Sequence, residues 1–324
     1  MIIPNDTGHP WRLRKFVEYA HTVPPIGPAT YLAWAKIMKL SPDDCVRLAW
    51  YNSTCYCELT AIFLSRTIPK KPNTMIVEKF WTEHKERLIF ASARMYAKNM
   101  DWFVPLMDKF LAATNGEPLR WLRRIATEGS PQERYANVYH ELMSWPYMGR
   151  FSVELFTDAV VQLGREGLLE HLRFEAESID WRKGSNLTSG LLNMFYQDEL
   201  ADHYDDTKKL EDRVVQLLDK SLAKVQKETG LTHPNSDTSV SVITPKICSW
   251  RNLFKGRRYM GYHQDRQLAQ LYAYQKNYPG DRLWEALFAL RKRVLAPKLL
   301  GEIGGWTGIR KERMKLWVRE GRLE

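Results

Sequence analysis

The sequence predicts an all-α fold, on three observations. Apolar residues recur at helical spacing along most of the 324 residues. Prolines stand close to the starts and stops of these stretches. No run alternates apolar and polar residues over strand length, and no repeat recurs at the periods of helical solenoids.

The elements follow in order. A helix begins at Pro42, with Ser41 as its N-cap and proline in the first turn, and its apolar residues continue to about Leu64. Pro69-Lys70-Lys71-Pro72 then breaks the chain, and a second helix is expected from residue 74 to about 98. Shorter helices follow Pro105, Pro118 and Pro131. One helix ends near Trp145, and a new amphipathic helix starts after the turn that follows. Leu210, Val214, Leu217, Leu218, Leu222 and Val225 form an apolar stripe over residues 206–229, which Gly230 is placed to end. Residues 231–245 read as a long polar loop, with a short extended piece at 240–243. Helices are expected over about 263–276 and 281–294, and a basic helix over 306–320. The resulting division is a helical body over 1–230 and a C-terminal helical part over 231–324, packed on the same domain.

An apolar fraction of 44% with 12 Trp makes the chain globular, and 48 basic against 38 acidic residues leave a formal charge of +10. That balance suits nucleic acid, and less well an anionic membrane surface. Cys45, Cys55, Cys57 and Cys248 form no C-x-x-C pair and are expected as free thiols. Reduced cysteines, no signal pattern and no apolar run of bilayer length lead to the expectation of a soluble, cytoplasmic protein without a membrane partner. No phosphate-binding G-x-x-x-x-G-K-[ST] loop, H-E-x-x-H, G-x-S-x-G or dinucleotide fingerprint is present. An enzyme of this kind would take a substrate that arrives already activated.

The richest chemistry lies in residues 248–266. Arg251, Lys255, Arg257, Arg258 and Arg266 are interleaved there with Trp250, Phe254, Tyr259 and Tyr262. Guanidinium forks grip phosphate oxygens and aromatic faces stack on bases. His263 titrates near neutrality, Asp265 can orient or deprotonate a nucleophile, and Arg266 can neutralise a phosphate. The other reading makes Asp265 and Arg266 a pair of surface charges capping a helix. In the second informative segment, Pro146-Tyr147-Met148-Gly149-Arg150 separates two helices. Helix-hairpin-helix modules use this layout, with turn amides facing a DNA phosphate and Arg150 beside it. An ordinary helix corner uses it too.

Two further groups are open to opposite readings. Asp198, Asp202 and Asp205 share one helical face and are weak candidates for Mg²⁺, against the favoured reading of a solvated face. Asn52, Thr54 and Glu58 interrupt an otherwise apolar run. Glu58 is either a buried carboxylate prepared as a general base or part of a helix side facing solvent.

Leu48-Ala49-Trp50-Tyr51-Asn52, the Pro146–Arg150 turn, the 250–259 run and Gly261-Tyr262-His263-Gln264-Asp265-Arg266 together resemble the phage amino acid:DNA transferases. These are also described as α-glutamyl/putrescinyl thymine pyrophosphorylases. The likeness is one of pattern and order over most of the chain. It implies a helix-hairpin-helix, DNA-glycosylase-like multi-helix fold. It also implies an activity on double-stranded phage DNA, in which an amino acid displaces pyrophosphate from 5-(pyrophosphoryloxymethyl)deoxyuridine. Chemistry on this sequence then assigns Asp265, His263 or Glu58 to deprotonate the amine. Lys255, Arg257, Arg258 and Arg266 stabilise the leaving group, while Tyr259, Tyr262 and Asn52 line the substrate. Gly149, Arg150, Arg251 and Trp250 meet the DNA, with Arg150 or Arg251 available to the amino acid's carboxylate. No cofactor is required, although Mg²⁺ could assist pyrophosphate. The superfamily's usual aspartate beyond the hairpin has no clear match among Asp158, Glu166, Glu170 and Asp180. A glycosylase-like repair enzyme and a non-enzymatic basic DNA-binding protein are the alternatives.

Overall fold

The computed structural model describes residues 11–22, 29–71, 73–90, 98–126, 128–169, 181, 185–204, 208–231, 240–255, 272 and 275–294. In chain order the helices are α1 (Trp11–Thr22), α2 (Ala29–Ile37), α3 (Pro42–Cys55), α4 (Glu58–Thr67), α5 (Thr74–His84), α6 (Met100–Thr114) and α7 (Pro118–Ile125). They continue with α8 (Pro131–Met143), α9 (Arg150–Arg165), α10 (Asn186–Met194), α11 (Asp198–His203), α12 (Asp212–Thr229), α13 (Val240–Phe254) and α14 (Arg282–Val294). The described residues contain no β-strand, so the protein is all-α.

The chain forms two compact units. The larger comprises Gly27–Glu175 and His263–Leu300, and the smaller Met1–Ile26, Ala176–Tyr262 and Gly301–Glu324. None of the four boundaries falls at the 230/231 division expected from the sequence, because the helices on both sides of that point share the smaller unit's core.

In the larger unit, α3 starts as its sequence requires. The Ser41 hydroxyl accepts from the Asp44 N–H at 3.2 Å, with Pro42 in the first turn. The helix is buried on every side from Cys45 to Cys55. It does not run on to Leu64. Ser53 and Thr54 hydroxyls both donate back to the Trp50 carbonyl, at 2.7 and 3.1 Å, and Tyr56 turns into the left-handed region at φ 48°. Cys57 is extended and α4 begins at Glu58. The helix expected over 74–98 also stops early, at His84, followed by a 3₁₀ turn at Lys85–Arg87. Beyond it, the Thr60 hydroxyl donates to the Ile89 carbonyl at 2.8 Å and accepts from its N–H at 2.9 Å, fixing that strip of chain against α4. Helix α6 starts at Met100 under an Asn99 cap and carries Pro105 inside it, not before it. Helix α8 opens with the Ser130/Glu133 capping box. The core centres on Trp50, stacked on Phe110 at 4.7 Å and met edge-on by Trp145 and Phe156.

In the smaller unit, α12 carries the expected stripe and ends at Gly230, which is left-handed at φ 56°. Helix α13 takes in residues 240–245, expected as the end of the polar loop with an extended piece at 240–243, while residues 232–239 of that loop lie outside the described residues. Its residues Ile243, Ile247, Trp250 and Phe254 are fully buried and follow helical spacing straight through the proline. That buried stripe outweighs the loop-like composition and the missing N–H at Pro245. Helices α10 and α13 touch at Gly190, where an added Cβ would lie 2.8 Å from Ile247 Cγ2 and 2.9 Å from its carbonyl oxygen. Arg12 ties α1 to this pair. Its Nη1 donates to the Asn193 carbonyl at 2.8 Å and to Asp198 at 2.9 Å, and its guanidinium lies 4.2 Å from the centre of the Tyr196 ring.

Candidate functional site

The corner between α8 and α9 is built from the inside outward. Trp145 is buried against Trp50 and Trp121, and its indole N–H donates to the Glu141 carboxylate at 3.1 Å. Pro146 has no N–H with which to prolong α8. Tyr147 then adopts a left-handed conformation, φ 62°, with its ring 39% exposed. Met148 turns inward and is buried. Gly149 caps α9 at φ −100°, ψ 168°, and its carbonyl accepts from the Ser152 and Val153 N–H groups at 2.9 and 3.2 Å. That conformation is ordinary extended backbone, and an added Cβ would meet nothing within 4 Å. Gly149 therefore leaves open space that neither its backbone nor its neighbours require.

Trp102, near the start of α6, brings its ring to 4.3 Å from that of Tyr147, inclined by 46°. With Met148 and Gly149 these two rings line an open depression of about 330 Å³. Two helical turns along α6, the Lys109 ammonium lies 5.5 Å from the centre of the Trp145 ring. Arg150 is half-buried, and its Nε donates to Glu154 at 2.7 Å. Phe151 is exposed and meets the Tyr56 ring edge-on at 5.6 Å. Helix α7, anchored by Trp121 against Trp145, presents Arg120, Arg123 and Arg124 to solvent. The corner thus offers exposed aromatic rings, an uncapped helix start and a neighbouring basic helix.

The remaining sequence candidates are distributed over the molecule. Gly149 and Arg150 belong to the corner. Arg257, Arg258, Tyr259, Tyr262, His263, Asp265 and Arg266 lie outside the described residues, as does Asp205. Trp250, expected against DNA, is instead fully buried. Its ring packs edge-on against Phe16 at 5.7 Å and Tyr19 at 5.6 Å, which leaves no face for a base. Arg251 is half-buried on the same helix. Lys255 forms an ion pair with Asp202, and Asp198 is held by Arg12 and by the Asn193 amide at 2.6 Å. Helix α11 carries Asp198 and Asp202 of the three carboxylates, and both have the basic or amide partners just given. Among the described residues no three His, Cys, Asp or Glu side chains come together as a metal site.

Asn52 is 5% exposed in the middle of α3, and its Oδ1 has no hydrogen-bond partner. Glu58 is half-buried in the first turn of α4, and not deep within a continuous helix. Cys45 and Cys57 are buried thiols outside any disulfide, and burial pushes the Cys45 thiol up to about 12 and raises that of Cys57. Such thiols are poor nucleophiles near neutrality. Sequence reading passed over Trp102 and Tyr147. The buried stripe of α6 runs through Phe103, Leu106, Met107 and Phe110, so Trp102 stands off it, and that offset was the available signal.

No protein-family model, curated protein or solved structure matches the chain. No helix among the described residues is long and apolar enough to cross a membrane.

Proposed function

We propose that the protein acts on phage DNA as an amino acid:DNA transferase, taking 5-(pyrophosphoryloxymethyl)deoxyuridine as the activated base. The observation that carries the reading is the α8–α9 corner, where an uncapped helix start, a glycine with open space beside it and exposed aromatic rings occur together. Backbone amides at such a start favour a phosphate, and exposed rings favour bases. The formal charge of +10 and the three solvent-facing arginines of α7 act in the same sense. In the reaction, the amine lone pair forms a C–N bond to the exocyclic methylene carbon. The C–O bond breaks with its electron pair leaving on pyrophosphate, and the amine gives up its proton to a base. On the sequence reading that base is Asp265, His263 or Glu58, and the cations are Lys255, Arg257, Arg258 and Arg266. In this scheme Lys255 exchanges its Asp202 partner for a phosphate oxygen.

The test is incubation with DNA carrying the pyrophosphorylated base and each amino acid, followed by nucleoside mass spectrometry. The expected result is a nucleoside heavier than 5-hydroxymethyldeoxyuridine by one amino acid residue, with release of pyrophosphate. DNA binding without a mass gain for any amino acid or polyamine would sink the transferase reading. It would leave the second reading, a non-catalytic basic helical DNA-binding protein, which the exposed arginines of α7 favour on their own.

A further inference from the structure

We propose that the depression between Trp102 and Tyr147 is a stacking site for a single unpaired nucleobase, a refinement that rests on the nucleic-acid reading above. Two rings from separate elements, 4.3 Å apart and inclined by 46°, form a wedge whose open face reaches solvent. The turn's other aromatic, Trp145, is consumed by the core, whereas the Tyr147 ring remains 39% exposed. Tyr147 holds that ring outward from a left-handed backbone conformation, φ 62°, that is unfavourable for a side-chain-bearing residue and suits glycine or asparagine better. At the mouth, Gly149 keeps clear the space a side chain would fill.

Size and charge then select the occupant. The depression is shallow and open, with four lining residues, and so suits a flat ring laid against an aromatic face. The depression's four lining residues, Trp102, Tyr147, Met148 and Gly149, are all uncharged, and the neighbouring Arg150 pairs with Glu154. That is a surrounding for a neutral aromatic ring, with the start of α9 beside it for the attached phosphate. A nucleobase meets both requirements, and stacking accepts any of the four bases.

The experiment measures binding of full-length protein by fluorescence anisotropy to three labelled probes. These are a thymidine-rich single strand, the same strand with its central nucleotides abasic, and a fully paired duplex. Tyr147→Gly removes the ring while relieving the left-handed strain, so its thermal unfolding midpoint should not fall. It is expected to weaken binding of the intact single strand by roughly five- to hundredfold, as does Trp102→Ala. Duplex binding, which rests mainly on phosphate contacts, should fall by a smaller factor than single-strand binding, and Tyr147→Phe should retain wild-type affinity. Unchanged single-strand affinity of Tyr147→Gly would overturn the proposal. An equal loss on the intact and abasic strands would overturn it too, assigning the depression to something other than a base. In both cases duplex binding by the wild-type chain would leave the proposed function standing. Wild-type protein that binds none of the three probes would remove that function, and the stacking site with it.

Discussion

Replacing Gly190 by alanine sets two physical effects against each other with opposite signs. Helix propensity alone favours the change, because alanine in a helix interior is worth about 1 kcal/mol over glycine. The contact between α10 and α13 opposes it. The new methyl would stand 2.8 Å from Ile247 Cγ2, 2.9 Å from the Ile247 carbonyl oxygen and 3.2 Å from Arg251 Cβ. These contacts fall roughly half an ångström or more short of comfortable carbon–carbon separation. None of the three atoms is the free end of a flexible side chain. Ile247 branches at Cβ and its carbonyl belongs to the helix ladder, so relief requires moving α13 and with it Trp250 and Phe254. Overpacking of this kind costs about 1–3 kcal/mol, which exceeds the propensity gain over most of its range. The expected result is a net loss of about 1 kcal/mol, after the propensity gain, in the unfolding of the smaller unit. Urea titration followed by far-ultraviolet circular dichroism reads it as a lower midpoint at unchanged slope. A variant that is more stable than wild type would show that the helices separate freely at this point and that the crossing is not tight.

Two more outcomes follow from the smaller unit. Trp250→Ala should destabilise it by about 3–5 kcal/mol, as removal of a fully buried indole does, whereas an exposed stacking residue would leave stability within about 0.5 kcal/mol. A folded, fully stable Trp250→Ala protein that had lost only DNA affinity would contradict the buried placement. Burial lowers the Lys246 ammonium to about 8, with its amine donating to the Ala20 carbonyl at 2.9 Å. The unfolded chain, with a lysine pKa of about 10.4, binds more protons than the folded chain above pH 8, so stability should rise from pH 8 towards 9.5. Lys246→Met should flatten that rise, measured as urea midpoints at pH 7, 8.5 and 9.5. Parallel profiles for the two proteins would refute the assignment.

The parts of the fold that were legible are those where a local rule and tertiary burial agree. Ser41-Pro42, Ser130-Pro131 and the 210–225 stripe closed by Gly230 each mark a helix end by capping or by left-handed freedom, and the structure uses them so. Where the two disagree, burial decides. Residues 240–245 read as a loop because of their serine, threonine and proline and the polar run before them, yet Ile243 shares a face with Ile247, Trp250 and Phe254. Extending that stripe back through Pro245 would also have placed Trp250 in the core and not on DNA. The break at Tyr56 was hidden for the converse reason. Its neighbours are apolar enough to continue a helix, and the stop comes from side-chain hydroxyls bonding back to the Trp50 carbonyl. At the site, Pro146 and Gly149 gave the corner from sequence. The partnership of Trp102 with Tyr147 joins residues 45 positions apart, a pairing that only the packing of α6 against the corner creates.

That pairing matters because its support is rigid. The first residue of the turn, Trp145, is clamped by Trp50 and Trp121, and Trp50 is in turn stacked within 5° of parallel on Phe110, from the same helix as Trp102. Helix α6 therefore contributes one ring to the core that anchors the turn and another to the depression that the turn helps to form. A loop-borne tyrosine would lose conformational freedom on gripping a ligand, at about 0.5–1.5 kcal/mol for each side chain immobilised. Tyr147 starts from a backbone already fixed and a neighbouring ring already in contact, so most of that loss is incurred on folding. The same coupling makes the site sensitive at a distance. A substitution at Phe110 that loosens its stack on Trp50 should disturb the wedge between Trp102 and Tyr147 without touching either residue.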